Sequence, residues 1–178
     1  AFETEIGSPT EDVVVTGVEI EIPRRLLDDG LVLIDTPGVG GLGSAHSTAA
    51  LGALSVANAV IFVSDASQEY TRAEIDFLSQ ALELCPHVLC VMTKIDFYPD
   101  WRRVRQINEG HLQRIGFDVS ILPVSSMLRL EAAKLKDRAL NAESGFAELI
   151  GWLNDDVVAN ATHCKVCSLA AEDAVVAP

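Results

Sequence analysis

The chain alternates two kinds of hydrophobic patterning. Consecutive apolar runs occur at Leu31-Val32-Leu33-Ile34, Ala59-Val60-Ile61-Phe62-Val63, Val88-Leu89-Cys90-Val91-Met92 and, more weakly, Val119 to Val124. Runs of this length bounded by polar turn residues read as buried strands. Between them the apolar positions recur every three or four residues, as on a helix face. Residues 49–57 are small and apolar and read as a helix. Thr71-Arg72-Ala73-Glu74 matches a capping box, and Ile75, Phe77, Leu78 and Leu82 form the apolar stripe behind it. Pro99 opens a helix that runs to about Ile115, and Gly116 ends it. Upstream, residues 12–23 alternate apolar and acidic positions like a half-exposed edge strand, and Asp28-Asp29-Gly30 turns that strand into a hairpin with the run at Leu31. Helices are predicted at 128–140 and 145–158, and the small, apolar residues 159–176 read as a further helix. Strands alternating with helices in this way predict an α/β fold with a mostly parallel sheet and flanking helices.

Chemistry gathers where two strands stop. The first run ends in Asp35-Thr36-Pro37-Gly38, the third in Thr93-Lys94-Ile95-Asp96. Polar residues at the carboxyl end of a buried strand mark the ligand edge of an open α/β sheet. Asp35 can hold a magnesium ion there, directly or through water. Pro37 and Gly38 let the backbone turn, so that the Gly38 N–H can face a terminal phosphate. Asp96 is an acceptor-only carboxylate and can take two parallel N–H donors. As plain structure, the first motif is a turn after a strand and the second a strand end before a helix cap. Their occurrence together, about sixty residues apart and each after a strand, resembles two motifs of the GTPase family, which favours the chemical reading. Ser125 and Ser126 end the last strand and serve equally as a helix N-cap or as a contact to the base edge. The stretch from Gly38 through Gly40, Gly41 and Gly43 reads as a mobile loop in which His46 is the titratable group.

Composition narrows the partners. A formal net charge of −13 repels nucleic acid unless basic residues cluster. The best cluster, Trp101-Arg102-Arg103-Val104-Arg105, reads as a solvated helix face. No apolar run approaches the roughly 20 residues of a membrane-spanning helix. Cys85 and Cys90 read as buried thiols. The Cys164-Lys165-Val166-Cys167 pair lacks the second pair that a zinc site needs. With no convincing disulfide set, a reducing, cytoplasmic compartment is expected.

Asp35-Thr36-Pro37-Gly38-Val39-Gly40-Gly41, Val63-Ser64-Asp65-Ala66 and Thr93-Lys94-Ile95-Asp96-Phe97-Tyr98-Pro99 together resemble the dynamin superfamily of GTPases, in its bacterial dynamin-like branch. The likeness covers roughly residues 12–158, and Thr93 in place of the commoner Asn suits that branch. The resemblance implies GTP as ligand, GTP hydrolysis with Mg²⁺, and base recognition by Asp96, with the Lys94 stem lying along the guanine ring. It further implies a backbone N–H near Ser125 at the guanine O6, self-association through the nucleotide face, and membrane remodelling through a helical stalk, with the protein cytoplasmic or peripheral at the inner face of the plasma membrane. Residues 1–158 then form a partial GTPase domain and 159–178 the start of a helical segment.

One departure outweighs any single match: these 178 residues contain no G-x-x-x-x-G-K-[ST]. The phosphate cradle, its Lys and a magnesium-binding hydroxyl are therefore missing from the pattern, and the water-positioning residue cannot be named. Thr4 and Thr10 are the candidates for the switch threonine. The gap and the start at Ala1 are read as the marks of a piece of a longer protein, inactive alone. In the family the strand before that cradle lies between the strands matching Leu31–Asp35 and Ala59–Asp65, so the sheet is expected to re-pair directly or to show a gap there. Two other readings stay open: a nucleotide-free interaction domain that keeps the motifs, and a ribosome-associated GTPase, which needs a basic module this acidic chain does not show.

Overall fold

The computed structural model describes residues 18–36, 52, 54, 57–85, 87–118, 120–160 and 165–170. Among the described residues five strands form one parallel sheet: β1 (Val32–Thr36), β2 (Ala59–Asp65), β3 (His87–Thr93), β4 (Leu122–Pro123) and β5 (Lys165–Ala170). Their order across the sheet is β1-β5-β2-β3-β4. The helices are α1 (Arg72–Leu84), α2 (Trp101–Arg114), α3 (Ser126–Leu135), α4 (Arg138–Glu143) and α5 (Phe146–Trp152), the last running on through a π-helical turn at Leu153–Val157.

Period two sorts the core. Val60 and Phe62 of β2, with Cys90 and Met92 of β3, face one layer and meet Leu54, Phe77, Leu78 and Leu112. Ala59 and Ile61, with Leu89 and Val91, face the other and meet Leu153 and Val157. A parallel strand covered on both faces must be apolar at every position, which is why these runs show no alternation. The capping box forms as the sequence predicts: Thr71 accepts from the Glu74 N–H and the Glu74 carboxylate accepts from the Thr71 N–H. Helix α2 begins two residues after Pro99, and Gly116 follows its end at φ 80°. Cys85 and Cys90 are buried free thiols, and burial pushes Cys90 up to about 12.

Several expectations change. Residues 165–170, predicted as helix, form a strand hydrogen-bonded on both sides, with Ile34 level with Cys167 and Ile61 level with Ser168. The sheet therefore shows neither a direct β1–β2 pairing nor a gap. A strand from elsewhere in the chain fills the slot. Local helix preference is worth only tenths of a kcal/mol per residue, and two rows of free backbone groups outweigh it. Strand β1 is an edge strand among the described residues: Val32 and Leu33 are 42% and 52% exposed, so the run at Leu31 is not buried throughout. The predicted partner hairpin is absent from the described part of 12–23, since residues 18–23 join no strand and are exposed. The last strand is only two residues long, because Pro123 removes a ladder donor, although Val124 still donates to the Met92 carbonyl at 2.8 Å. The predicted helix 128–140 is broken in two: Lys136 takes φ 55° and Asp137 caps α4 through the Ala139 and Leu140 N–H groups.

One glycine fixes how β4 meets α5. Gly145 sits at φ 74°, and a Cβ built there would lie 2.1 Å from the Pro123 carbonyl oxygen. The adjoining Ser125 N–H donates to the Ser144 carbonyl at 2.9 Å, so the close approach holds the end of β4 against this turn. Gly145→Ala is expected to destabilise the fold by more than about 1 kcal/mol, combining left-handed strain with a backbone clash. Urea unfolding checks this, and an unchanged midpoint would show that the turn relaxes freely.

Candidate functional site

Because every strand is parallel, all the carboxyl ends meet on one edge, the edge at which α/β sheets bind ligands. Asp35 and Thr36 end β1 there, Asp35 exposed and Thr36 buried. Pro37, Gly38, the glycine-rich loop and His46 lie outside the described residues.

The ends of β2 and β3 are tied to each other before the second motif begins. Asp65 lies level with Thr93 in the ladder. The Thr93 hydroxyl donates to the Ser64 carbonyl at 3.0 Å, and the Ala66 N–H donates to the Thr93 carbonyl at 3.0 Å. Lys94 then turns the chain through φ 60°, and its carbonyl accepts from Phe97 and Tyr98 at 3.0 and 3.3 Å. That turn presents Asp96 to solvent.

Two side chains are held in place by groups 29 residues away. The Ser125 hydroxyl donates to Asp96 Oδ1 and accepts from the Leu128 N–H at 3.0 Å, so one fully buried serine both caps α3 and aims the carboxylate. No other partner of Asp96 is found among the described residues, and acceptor capacity remains for incoming N–H groups. Ser126 is the exposed first residue of α3. The Lys94 Nζ lies 3.1 Å from Asp65 Oδ2. Asp65 Oδ1 accepts from both the N–H and the hydroxyl of Ser67. Burial pushes the Asp65 carboxyl up, but the Ser67 hydrogen bonds and the Lys94 ammonium together hold it below the usual carboxylate range.

Thr93, Lys94, Asp96 and Ser125 are thus brought together, and Asp35 stands on the same edge at the far side of β5. Asp65 has no role in the sequence reading. Its signal was an acid at the carboxyl end of an apolar strand, the same pattern that singled out Asp35. A cleft of about 620 Å³ opens beside this cluster, between Ser67–Glu69 and Tyr98–Arg103, but Lys94, Asp96 and Ser125 do not line it.

As to a metal, no cluster of three or more His, Cys, Asp or Glu side chains occurs among the described residues. A lone carboxylate at a strand end still fits magnesium, which takes one or two carboxylates and completes its shell with water and phosphate oxygens. Asp35 meets that requirement and does not meet the requirement of an all-protein cation site.

Comparison with known proteins gives three relatives. The chain is 47% identical over 149 residues to the isoniazid-induced protein IniA of Mycobacterium tuberculosis, in each of two strains, covering 84% of this chain and 23% of the relative. It is 29% identical over 93 residues to an uncharacterized protein in the xynA 3' region of a Caldicellulosiruptor species, covering 52% of this chain and 23% of that protein. The chain therefore spans about a quarter of the length of the curated relatives it matches. The model of the dynamin family matches residues 3–95, just over half of the chain, ending one residue short of Asp96. With the family match spanning just over half of its residues and this identity to IniA, the chain belongs to the dynamin family.

Proposed function

We propose that the whole protein binds GTP at this sheet edge and hydrolyses it with Mg²⁺, and that these 178 residues supply the base-reading half of the site. The observation that carries the reading is Asp96: an exposed carboxylate at the end of a parallel strand, aimed by a buried serine and flanked by an anchored lysine. Its free acceptor capacity suits the N1–H and 2-amino donors of guanine, and the Lys94 stem offers an apolar surface to the ring face. Ser125 then acts first on Asp96, while the backbone beside it remains the group to meet the guanine O6. Asp35 would hold the magnesium ion, which when bound neutralises charge on the β- and γ-phosphates. Thr36, Pro37 and Gly38 complete the phosphate side. Self-association through the nucleotide face, remodelling of membrane lipid and a location at the inner face of the plasma membrane belong to the same proposal on family grounds. An interaction domain without nucleotide is the second reading. It is favoured by one observation: no G-x-x-x-x-G-K-[ST] occurs in these residues.

Three outcomes test this. In the whole protein, Asp96→Asn should weaken GTP and favour xanthosine triphosphate, because the amide can donate to the 2-carbonyl of xanthine. Changes of partner at such a site shift discrimination by up to the order of 10⁴. Titration of both nucleotides decides it, and unchanged GTP affinity would remove the guanine assignment. Asp35→Ala should lower magnesium-dependent turnover far more than guanine binding, measured as kcat against nucleotide affinity; turnover with an intact magnesium dependence would leave Asp35 a mere strand end. The 178 residues alone should bind GTP weakly and show no measurable turnover, since phosphoryl transfer depends on positioning and charge stabilisation at the phosphates. Hydrolysis at an ordinary enzymatic rate by the purified 178-residue chain would mean that another segment supplies the cradle.

A further inference from the structure

We infer that Asp65 is a positioning residue for the base face of the site: it anchors the Lys94 ammonium so that the lysine stem is already laid out when guanine arrives. The inference rests on the guanine reading above and adds a residue that reading does not include.

Several observations converge. Lys94 Nζ and Asp65 Oδ2 are 3.1 Å apart, with the side chains 39% and 12% exposed. The lysine leaves the strand at φ 60°, a conformation that non-glycine residues adopt only when their surroundings impose it. Those surroundings are the clasp between β2 and β3: Thr93 hydroxyl to Ser64 carbonyl, Ala66 N–H to Thr93 carbonyl, and Asp65 level with Thr93. Asp65 is itself immobilised, because Ser67 donates twice to Oδ1 and leaves Oδ2 for the ammonium. The following residues are pinned in turn by the Tyr70 N–H, which donates to the buried Asn108 side chain at 2.8 Å. The acid that meets the lysine is therefore fixed on both flanks, and only the lysine is left to choose.

A free lysine has four rotatable bonds. Ordering such a side chain at the moment of binding costs affinity, and a partner that orders it beforehand removes that cost. The ammonium sits at the tip, so anchoring it to Asp65 fixes both ends of the methylene stem, which is the part a purine ring can lie against. The lysine end of the pair is part exposed and screened by solvent, so the pair contributes little to fold stability. Its effect belongs to binding.

The base face and the base edge are separable in experiment. Losing the lysine anchor should weaken all purine nucleotides that use the same face, whereas losing Asp96 changes the preference among edges. Asp65→Asn is the chosen variant: its carbonyl still accepts from Ser67, but an amide N–H₂ now confronts the ammonium and the anchor is lost. In the whole protein, GDP and IDP affinities are expected to fall together by about three- to tenfold, and the thermal midpoint should hold. In a Lys94→Met background, where no ammonium needs holding, the same Asp65→Asn change should have no effect. Asp65→Glu should restore part of the loss by keeping a carboxylate at the site. Equal losses in the Lys94 and Lys94→Met backgrounds would overturn the inference, because Asp65 would then act on the loop alone. No loss with Asp65→Asn while Asp96→Asn abolishes the guanine preference would overturn it and leave the guanine reading standing. If Asp96→Asn also binds GTP unchanged, both fall.

Discussion

A strand in the middle of a parallel sheet must find hydrogen-bond partners on both of its sides, and that requirement governs this molecule. Strand β2 is buried on both faces and pairs with β3 along seven residues. Its other side cannot be left bare: each unpaired buried backbone group costs about 1–3 kcal/mol. Lys165–Ala170 meets the requirement, lying parallel between β2 and β1. The far end of the described chain thus completes the sheet at its centre, and without that pairing β1, with Asp35 at its end, would have no neighbour among the described strands. The position of Asp35 depends on a segment well over a hundred residues further on.

The same parallel pairing explains why the site is assembled from turns rather than from strand interiors. Parallel strands bring all carboxyl ends to one edge, so β1 to β4 contribute their last residues and the turns beyond them: Asp35 and Thr36, then Asp65, then Lys94 and Asp96, then Ser125. Neighbouring ends are cross-tied, Thr93 to Ser64 and Ser125 to Asp96. A side chain that aims another across two strand ends converts the stiffness of the sheet into fixed geometry at the edge. Preorganisation of this kind costs folding energy once and spares binding energy afterwards.

Local signals were legible in the sequence and long-range ones were not. The capping box at Thr71 and Glu74, the stop at Gly116 and the cap at Ser125 are written within four or five residues, and each reads correctly. The segment Lys165-Val166-Cys167-Ser168-Leu169-Ala170 is short, has no distinct period, and lies among alanines that favour a helix. Only the open slot between β1 and β2 makes it a strand, and that slot is not a property of the segment. Likewise nothing near Ser125 reveals Asp96, nothing near Lys94 reveals Asp65, and Gly145 shows its importance only when Pro123 is seen beside it. The edge-strand reading of 12–23 failed in its described part for a related reason: alternation gives the pattern of a strand, while pairing needs a partner edge in register.

The aspartate–lysine pair also shows why an ion pair should be judged by what it immobilises. In the folded chain its lysine end is part exposed, so its attraction is partly screened and its share of stability small. Yet the lysine it holds has departed from ordinary backbone geometry, and the acid is fixed by two donors from Ser67 and backed by the loop anchored at Asn108. Stability alone gives little reason to build so much around a weak surface pair. A ligand that must find a methylene stem already extended does give one, because the ordering of a long, flexible side chain is then complete before the encounter. On the proposed guanine reading the second motif extends further than its four residues: Thr93 clasps the strands, Lys94 and Asp96 would meet the base, and Asp65 and Ser125 hold those two in place.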